Sequence, residues 1–306
     1  MNKRLACFIH AFLFFTLTTF LLSSCEPSVV TRTKVYFGTT CTLSIKTNHI
    51  DKYFKILEDL DKKFSYRDEN SEIAKINQNA GKNEVEVSPD VYELIKRSIT
   101  YSKETEGAFN PLLLPLVTLW GWNTGDVRVP NDDDIKDALE LISIDDVALS
   151  DDHHTVFLKK EGMGLDLGGI VKGHASNLLV EAMRQDGITE GIINLGGNVY
   201  VFGNKDYSVA IQKPYASRGV HDINVNVRNK SVVTSGAYER GREINGVYYH
   251  HIINPFTGYP AQEIYKSVTV IDADSELCDV WATAIFVLGD KEKLSKFNKD
   301  VKIITQ

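Results

Sequence analysis

What the chain lacks narrows its function before any motif is read. Basic residues do not predominate: 34 Lys and Arg stand against 41 Asp and Glu, for a formal net charge of −7, with no long basic run. An electrostatic footprint for nucleic acid is missing, and no nucleic-acid partner is expected. The four cysteines in 306 residues have neither the density of a disulfide scaffold nor the paired spacing of a zinc site. Of these, Cys41 and Cys278 are expected to be unpaired, partly buried thiols. Internal repeats, low-complexity stretches and dividing linkers are absent too. So are the G-x-G-x-x-G fingerprint and the Gly-Lys-[Ser/Thr] closure of a P-loop, which removes the two commonest nucleotide signatures.

Long apolar runs are equally scarce; one extends from about Ala6 to Leu22, behind Lys3 and Arg4 and ahead of Ser23-Ser24-Cys25. A basic start, an apolar stretch and small residues before a break make a secretory signal over residues 1–24. A simple N-terminal anchor is the plainer alternative, since the run lies near the lower limit of a span, about 17 residues. Leu22-Ser23-Ser24-Cys25 resembles the bacterial lipobox, in which the cysteine is acylated and becomes the first mature residue. The expectation is therefore a lipoprotein of the bacterial cell envelope, anchored to the membrane through Cys25 and facing the periplasm. Residues 25–34 are expected as a tether and 35–306 as one folded domain.

Val35 to Ile45 reads as strand, rich in β-branched residues and interrupted by Gly38. Apolar residues at 50, 53, 54, 57, 60 and 64 repeat with a helical period over Ile50 to Phe64. Helices are also expected over Ser71–Asn79, over Pro89–Glu106 with Ser88 as N-cap, and over Ile135–Leu141 behind the capping run Asn131-Asp132-Asp133-Asp134. Beyond residue 145 short strand candidates crowd together, at 147–149, 155–159, 191–194, 199–202, 207–212, 223–227, 231–234 and 267–271, with helices at 175–186, 278–287 and 290–298. The pattern is a mixed α/β (α+β) chain with much antiparallel pairing.

The densest chemistry lies in Gly164-Leu165-Asp166-Leu167-Gly168-Gly169-Ile170-Val171-Lys172-Gly173, one acid and one base among four glycines at the start of a helix. Such a loop suits close backbone approach or positive φ, and its amides together with the helix dipole suit an anion. Gly107-Ala108-Phe109-Asn110-Pro111 leads to Leu119-Trp120-Gly121-Trp122, where two indoles offer an aromatic wall or core packing. Asn194-Leu195-Gly196-Gly197-Asn198 reads first as a hairpin turn. Thr234-Ser235-Gly236-Ala237-Tyr238-Glu239-Arg240 precedes His250-His251-Ile252-Ile253-Asn254-Pro255, where His251 at a strand end suits proton transfer. Asp279 and Thr283, four apart in an apolar helix, share a face; the acid reads as a dipole cap or, with the hydroxyl, as oxygen donors for Mg²⁺.

Taken in order, these clusters resemble the ApbE family, the FAD:protein FMN transferases of the bacterial envelope. The likeness runs from about Val35 to Leu288 and includes Phe64-Ser65, Ser71-Glu72-Ile73 and Asn77. It implies a T-fold-like architecture and a Mg²⁺-dependent transfer. FAD is the substrate, and a Thr or Ser hydroxyl of a target flavoprotein attacks the pyrophosphate, releases AMP and keeps FMN as a phosphoester. By resemblance Asp279 and Thr283 supply side-chain oxygens to the metal and Gly169 its carbonyl. Asp166 contacts FAD, Lys172 lies near its phosphates or adenosine, and His251 is the acid/base. Phe37, Ala108, Phe109, Asn110 and Ile253 line the flavin cleft. The chain departs from the family pattern at Arg67, where members commonly carry a flavin-stacking Tyr that here falls one place early, at Tyr66. Asn110 and Asn254 stand where Asp is frequent, which removes negative charge. Two rival expectations are a periplasmic FAD pyrophosphatase yielding FMN and AMP, and a flavin-binding lipoprotein without catalysis.

Overall fold

A computed structural model describes residues 28–297 and 301–306. The expected signal segment, Cys25 and the first residues of the expected tether lie outside them. From Val29 onward, however, the region expected as tether over 25–34 is strand: β1 spans Val29–Tyr36 and pairs along its whole length with β2, Thr39–Lys46. Alternating β-branched residues suit that pairing, and Thr31 and Thr33 bond across it to Ser44 and Thr42, both at 2.8 Å. Arg32 and Lys34 reach Asp51 at 2.7 and 3.4 Å, so this exposed edge carries charge rather than a bare apolar template.

The helix α1, Ile50–Phe64, buries Ile50, Tyr53, Phe54, Leu57, Leu60 and Phe64, the stripe its period predicts. Next come α2, Glu72–Gln78, capped by Ser71, and the short β3, Val85–Glu86. In α3, Pro89–Glu104, Ser88 is the N-cap by position only: its hydroxyl donates to Glu72 Oε1 at 2.8 Å instead of capping. A short α4, Leu114–Leu119, was not legible in the sequence. Asn131 caps α5, Asp132–Leu139, which begins within the acidic run because those carboxylates favour a helix N-terminus. Strands β4, Val147–Ser150, and β5, Thr155–Leu158, join β3 in a small three-stranded sheet.

The long α6, Val171–Gln185, precedes β6, Gly191–Leu195, and β7, Asn198–Phe202. The ribbon of β8, Tyr207–Gln212, and β9, His221–Val227, follows, then β10, Lys230–Gly236, and the hairpin of β11, Gly241–Ile244, and β12, Val247–His250. The chain closes with β13, Ser267–Asp272, α7, Ser275–Leu288, α8, Glu292–Phe297, and β14, Lys302–Thr305. The central sheet runs β1-β2-β6-β7-β10-β13-β14, with every neighbouring pair antiparallel. One face packs against α6 and α7 around the main core. On the other, Val201, Val232 and Ile271 meet Val209, Ile211, Val225 and Val227 beneath the β8–β9 ribbon. Alternation along each strand separates the two faces, as the period of two requires. Cys41 and Cys278 are free thiols, more deeply buried than expected, and burial raises the pKa of both. Among the described residues no helix is long and apolar enough to cross a membrane.

Candidate active site

A cleft of about 460 Å³ opens where the helix layer meets the loops beyond the sheet, within the range usual for small-molecule sites. Its floor is formed by α6 and α7. Asp274 caps α7 by accepting from Glu276 N at 2.9 Å, which leaves Asp279 a full turn inside the helix and 4% exposed. The dipole-cap reading of Asp279 therefore fails for its own helix. Its Oδ2 instead accepts the N–H of Gly173 at 3.0 Å, an amide of the first turn of α6. The anion cradle expected at that helix start is thus occupied by a carboxylate of the chain itself. Only glycine fits at 173, since an added Cβ would sit 2.3 Å from Ser275 O.

Lys172 donates to Gly168 O at 2.7 Å and pairs with Asp279 at 3.4 Å, so its ammonium is drawn to the floor. The Thr283 hydroxyl donates to Asp279 O at 3.3 Å and contacts Ser235 Oγ at 3.1 Å. The glycines at 164, 168, 169 and 173 have no positive φ, so close approach rather than unusual backbone explains them. Asn77 grips the loop from α2, donating to Leu165 O at 3.0 Å and accepting from its N–H at 2.7 Å. Asp166 Oδ1 accepts from Gly168 N at 2.8 Å. Burial pushes its carboxyl up, against the opposing pull of that N–H and of Arg67, Lys172 and Arg240.

Loops make the rim. Phe37 and Gly38 form the β1–β2 turn with φ of 53° and 68°, and Phe37 N donates to Asp61 Oδ1 at 3.0 Å. Arg67 lies over Tyr66 with its carbon 4.6 Å from the ring centre and donates to Asn123 O at 3.3 Å. Burial raises the Tyr66 phenol to about 12. Arg240 likewise lies over Trp122 at 5.8 Å and donates to its carbonyl, so one short loop ties down both arginines. His251 contacts Arg240 O through Nδ1 at 3.1 Å. A carbonyl only accepts, so Nδ1 carries the proton and Nε2 is left with its lone pair. Burial pushes the imidazole down to about 4, with Arg240, His250 and Lys172 adding to the effect.

Every site residue named from the sequence lines this one cleft, Cys25 excepted, which lies outside the described residues. Phe37, Tyr66, Arg67, Ala108, Phe109, Asn110 and Ile253 line it together with Asp166, Gly169, Lys172, His251, Asp279 and Thr283. The side chain of Asn110 is also a brace: Oδ1 accepts from Leu112 N and Nδ2 donates to Ile142 O, both at 2.9 Å. An aspartate could make only the first bond. The two tryptophans divide: Trp120 is fully buried and donates to Gly258 O at 2.8 Å, while Trp122 faces the cleft. The Gly196-Gly197 pair makes the expected β6–β7 hairpin, with φ of 63° and 94°. Sequence reasoning assigned no role to Asn198 or Arg240, though both lie in motifs it singled out. Asn198 Oδ1 is gripped by Ser275 at 2.9 Å and Ser176 at 3.1 Å, and its Nδ2 has no partner among the described residues.

Asp279, Thr283 and Gly169 fit a hard cation by donor chemistry: one carboxylate, one hydroxyl and one carbonyl, with no sulfur or imidazole. Among the described residues no cluster of three or more His, Cys, Asp and Glu stands ready for a metal. An ion held here would need substrate oxygens to complete its shell, the usual habit of Mg²⁺.

The model of the ApbE family matches residues 37–305 of this sequence. The chain belongs to the ApbE family. A FAD:protein FMN transferase of Treponema pallidum is 33% identical over 283 residues, covering 84% of this chain and 78% of that protein. Another, from Klebsiella pneumoniae, is 38% identical over 219 residues, covering 72% and 69%. Among solved structures, the ApbE protein of Thermotoga maritima superposes with a TM-score of 0.84 at 29% identity, covering 91% of this chain and 94% of that one. The apo flavinyl transferase ApbE of Pseudomonas stutzeri gives 0.78 at 25% identity, covering 93% and 92%. The antiparallel α/β architecture expected of an ApbE protein is the one found.

Proposed function

We infer that this protein is a FAD:protein FMN transferase that moves FMN from FAD to a hydroxyl of a target flavoprotein and releases AMP. The observation that carries this reading is convergence: sequence-distant groups with the required chemistry line one cleft. His251 Nε2 takes the proton of the attacking Thr or Ser hydroxyl as its oxygen bonds to the FMN-side phosphorus. The bond from that phosphorus to the oxygen of AMP breaks, and AMP leaves. The imidazole is unprotonated at neutral pH, so it is ready to accept a proton; an anionic pyrophosphate bound nearby would raise its proton affinity. Asp279, Thr283 and Gly169 would hold Mg²⁺, which would neutralise charge on the pyrophosphate. Lys172 adds a second positive charge from the same side. Phe37, Tyr66 and Phe109 offer ring faces for the isoalloxazine, and Asn198 Nδ2 is a donor left for the ligand.

The leader and Leu22-Ser23-Ser24-Cys25 support lipid anchoring through Cys25 and a periplasmic location. Mass spectrometry of the membrane-extracted protein tests this, with an unacylated residue 25 as the contrary result. Arg67 supports a secondary FAD-hydrolysing activity, because this exposed guanidinium borders the cleft where an aromatic side chain would otherwise exclude water. Incubation with FAD, Mg²⁺ and a flavoprotein target decides between these activities. Flavin fluorescence on the target in a denaturing gel is expected; free FMN and AMP with an unlabelled target would defeat the transferase reading.

A further inference from the structure

We propose that Arg240 is the positioning residue of His251, and that Trp122 is the anchor through which it acts. This rests on the flavin-transfer reading only for its kinetic consequences. The carbonyl of Arg240 accepts twice from the same histidine, from the backbone N–H and from Nδ1, each at 3.1 Å. That two-point grip fixes both the position of the residue and the tautomer of its ring. Arg240 lies at the open end of the β11–β12 hairpin, where Gly241 pairs with His250, and its surroundings are exposed from Glu239 to Glu243. An exposed strand end does not hold a carbonyl still by itself.

The side chain supplies the missing anchor. The guanidinium donates to the Trp122 carbonyl and lies over the indole, which is 3% exposed. Trp122 in turn meets the His251 ring edge-on at 6.5 Å. Trp122, Arg240 and His251 thus form a closed loop of contacts that ties an exposed hairpin to the core. The charged groups that act on His251 are Arg240, His250 and Lys172, all of which oppose a proton on the ring. The Arg240 carbonyl, accepting from Nδ1, instead favours the protonated ring, so removing the guanidinium would loosen that grip and relieve a repulsion, two changes of opposite sign for the titration.

The test uses Arg240→Met and Arg240→Lys in the intact protein, with ¹⁵N-histidine NMR titration and steady-state AMP release from FAD. The wild type should show a fixed Nδ1–H tautomer. In Arg240→Met, His251 should show mixed tautomers and a titration midpoint displaced from that of the wild type. Its kcat should fall about tenfold to a hundredfold, as expected for a misplaced catalytic group, while KM for FAD moves far less. Arg240→Lys, which keeps a charge and a donor, should recover most of the titration behaviour. An Arg240→Met protein with wild-type His251 spectra would overturn the proposal whether or not turnover falls, since a loss with an unmoved histidine means that Arg240 acts on substrate directly. The NMR titration needs no turnover, so it tests the link between Arg240 and His251 even if the transferase reading fails.

Discussion

On the floor of the cleft, Asp279 sits inside α7 at 4% exposure, its carboxylate bonded to the backbone of α6. On the rim, Arg67 and Arg240 are exposed, each held by one aromatic ring and one carbonyl of the Trp122-Asn123 loop. The floor is made by packing two helices so closely that position 173 excludes a Cβ; the rim is made by side chains laid over one another. Floor groups can therefore hold a fixed charge geometry, which phosphoryl chemistry needs. Rim groups can adjust, which suits admission of a flavin and of a second protein. Substitutions should separate accordingly: on the floor, and at Arg240 because it holds His251, into lost chemistry; at Arg67 into an altered fate of the FMN.

The largest effect is expected where the two regions meet. His251→Ala should lower kcat by about a hundredfold to ten-thousandfold, the range of a lost general base, with little change in melting temperature because the residue is partly exposed. Stopped-flow or coupled AMP assays measure this. In the wild type, imidazolium forms as pH falls through about 4, and the proton-accepting form is lost with it. A pH profile of kcat/KM should therefore stay flat from neutrality to about pH 5 and decline below. A limb near the ordinary histidine value would mean that burial does not govern this ring.

Asp279→Asn keeps an oxygen for the Gly173 N–H but removes the charge. Turnover should fall about a hundredfold to a thousandfold, the loss typical of a preorganised charge-stabilising group, while FAD binding by fluorescence titration is largely kept. Undiminished turnover would contradict the metal-holding role proposed for Asp279. Gly173→Ala tests the packing beneath it: with Ser275 O at 2.3 Å from the new Cβ, the helices must part, at a cost of about 1–3 kcal/mol seen as a lower melting temperature. Arg67→Tyr should act least. It should change the ratio of protein-bound to free FMN by roughly two- to fivefold, the scale of one cation–π contact, and leave the melting temperature unmoved.

How far the sequence could be read follows the same division. Floor and loop residues announced themselves because glycine density, a helical i, i+4 pair and a histidine at a strand end are local patterns. The amphipathic stripe of α1 and the strands beyond residue 145 were legible for the same reason. What stayed hidden was held by distant partners. The segment before Val35 looked like a tether because only its pairing with β2 makes it a strand. Arg240 carried no local sign of a role, since its partners lie 118 and 11 positions away. Likewise the sequence offers Asp279 as a cap of its own helix or an oxygen donor for Mg²⁺, and does not show that it accepts from the neighbouring helix.

In the reading proposed above, one cleft couples FAD cleavage to capture of FMN by a protein hydroxyl. The most direct test is the ratio of AMP released to FMN covalently bound, measured over one time course with FAD, Mg²⁺ and a flavoprotein acceptor. A ratio near one, lost on Asp279→Asn, is the predicted result. AMP accumulating with free FMN and no flavin on the acceptor would contradict it.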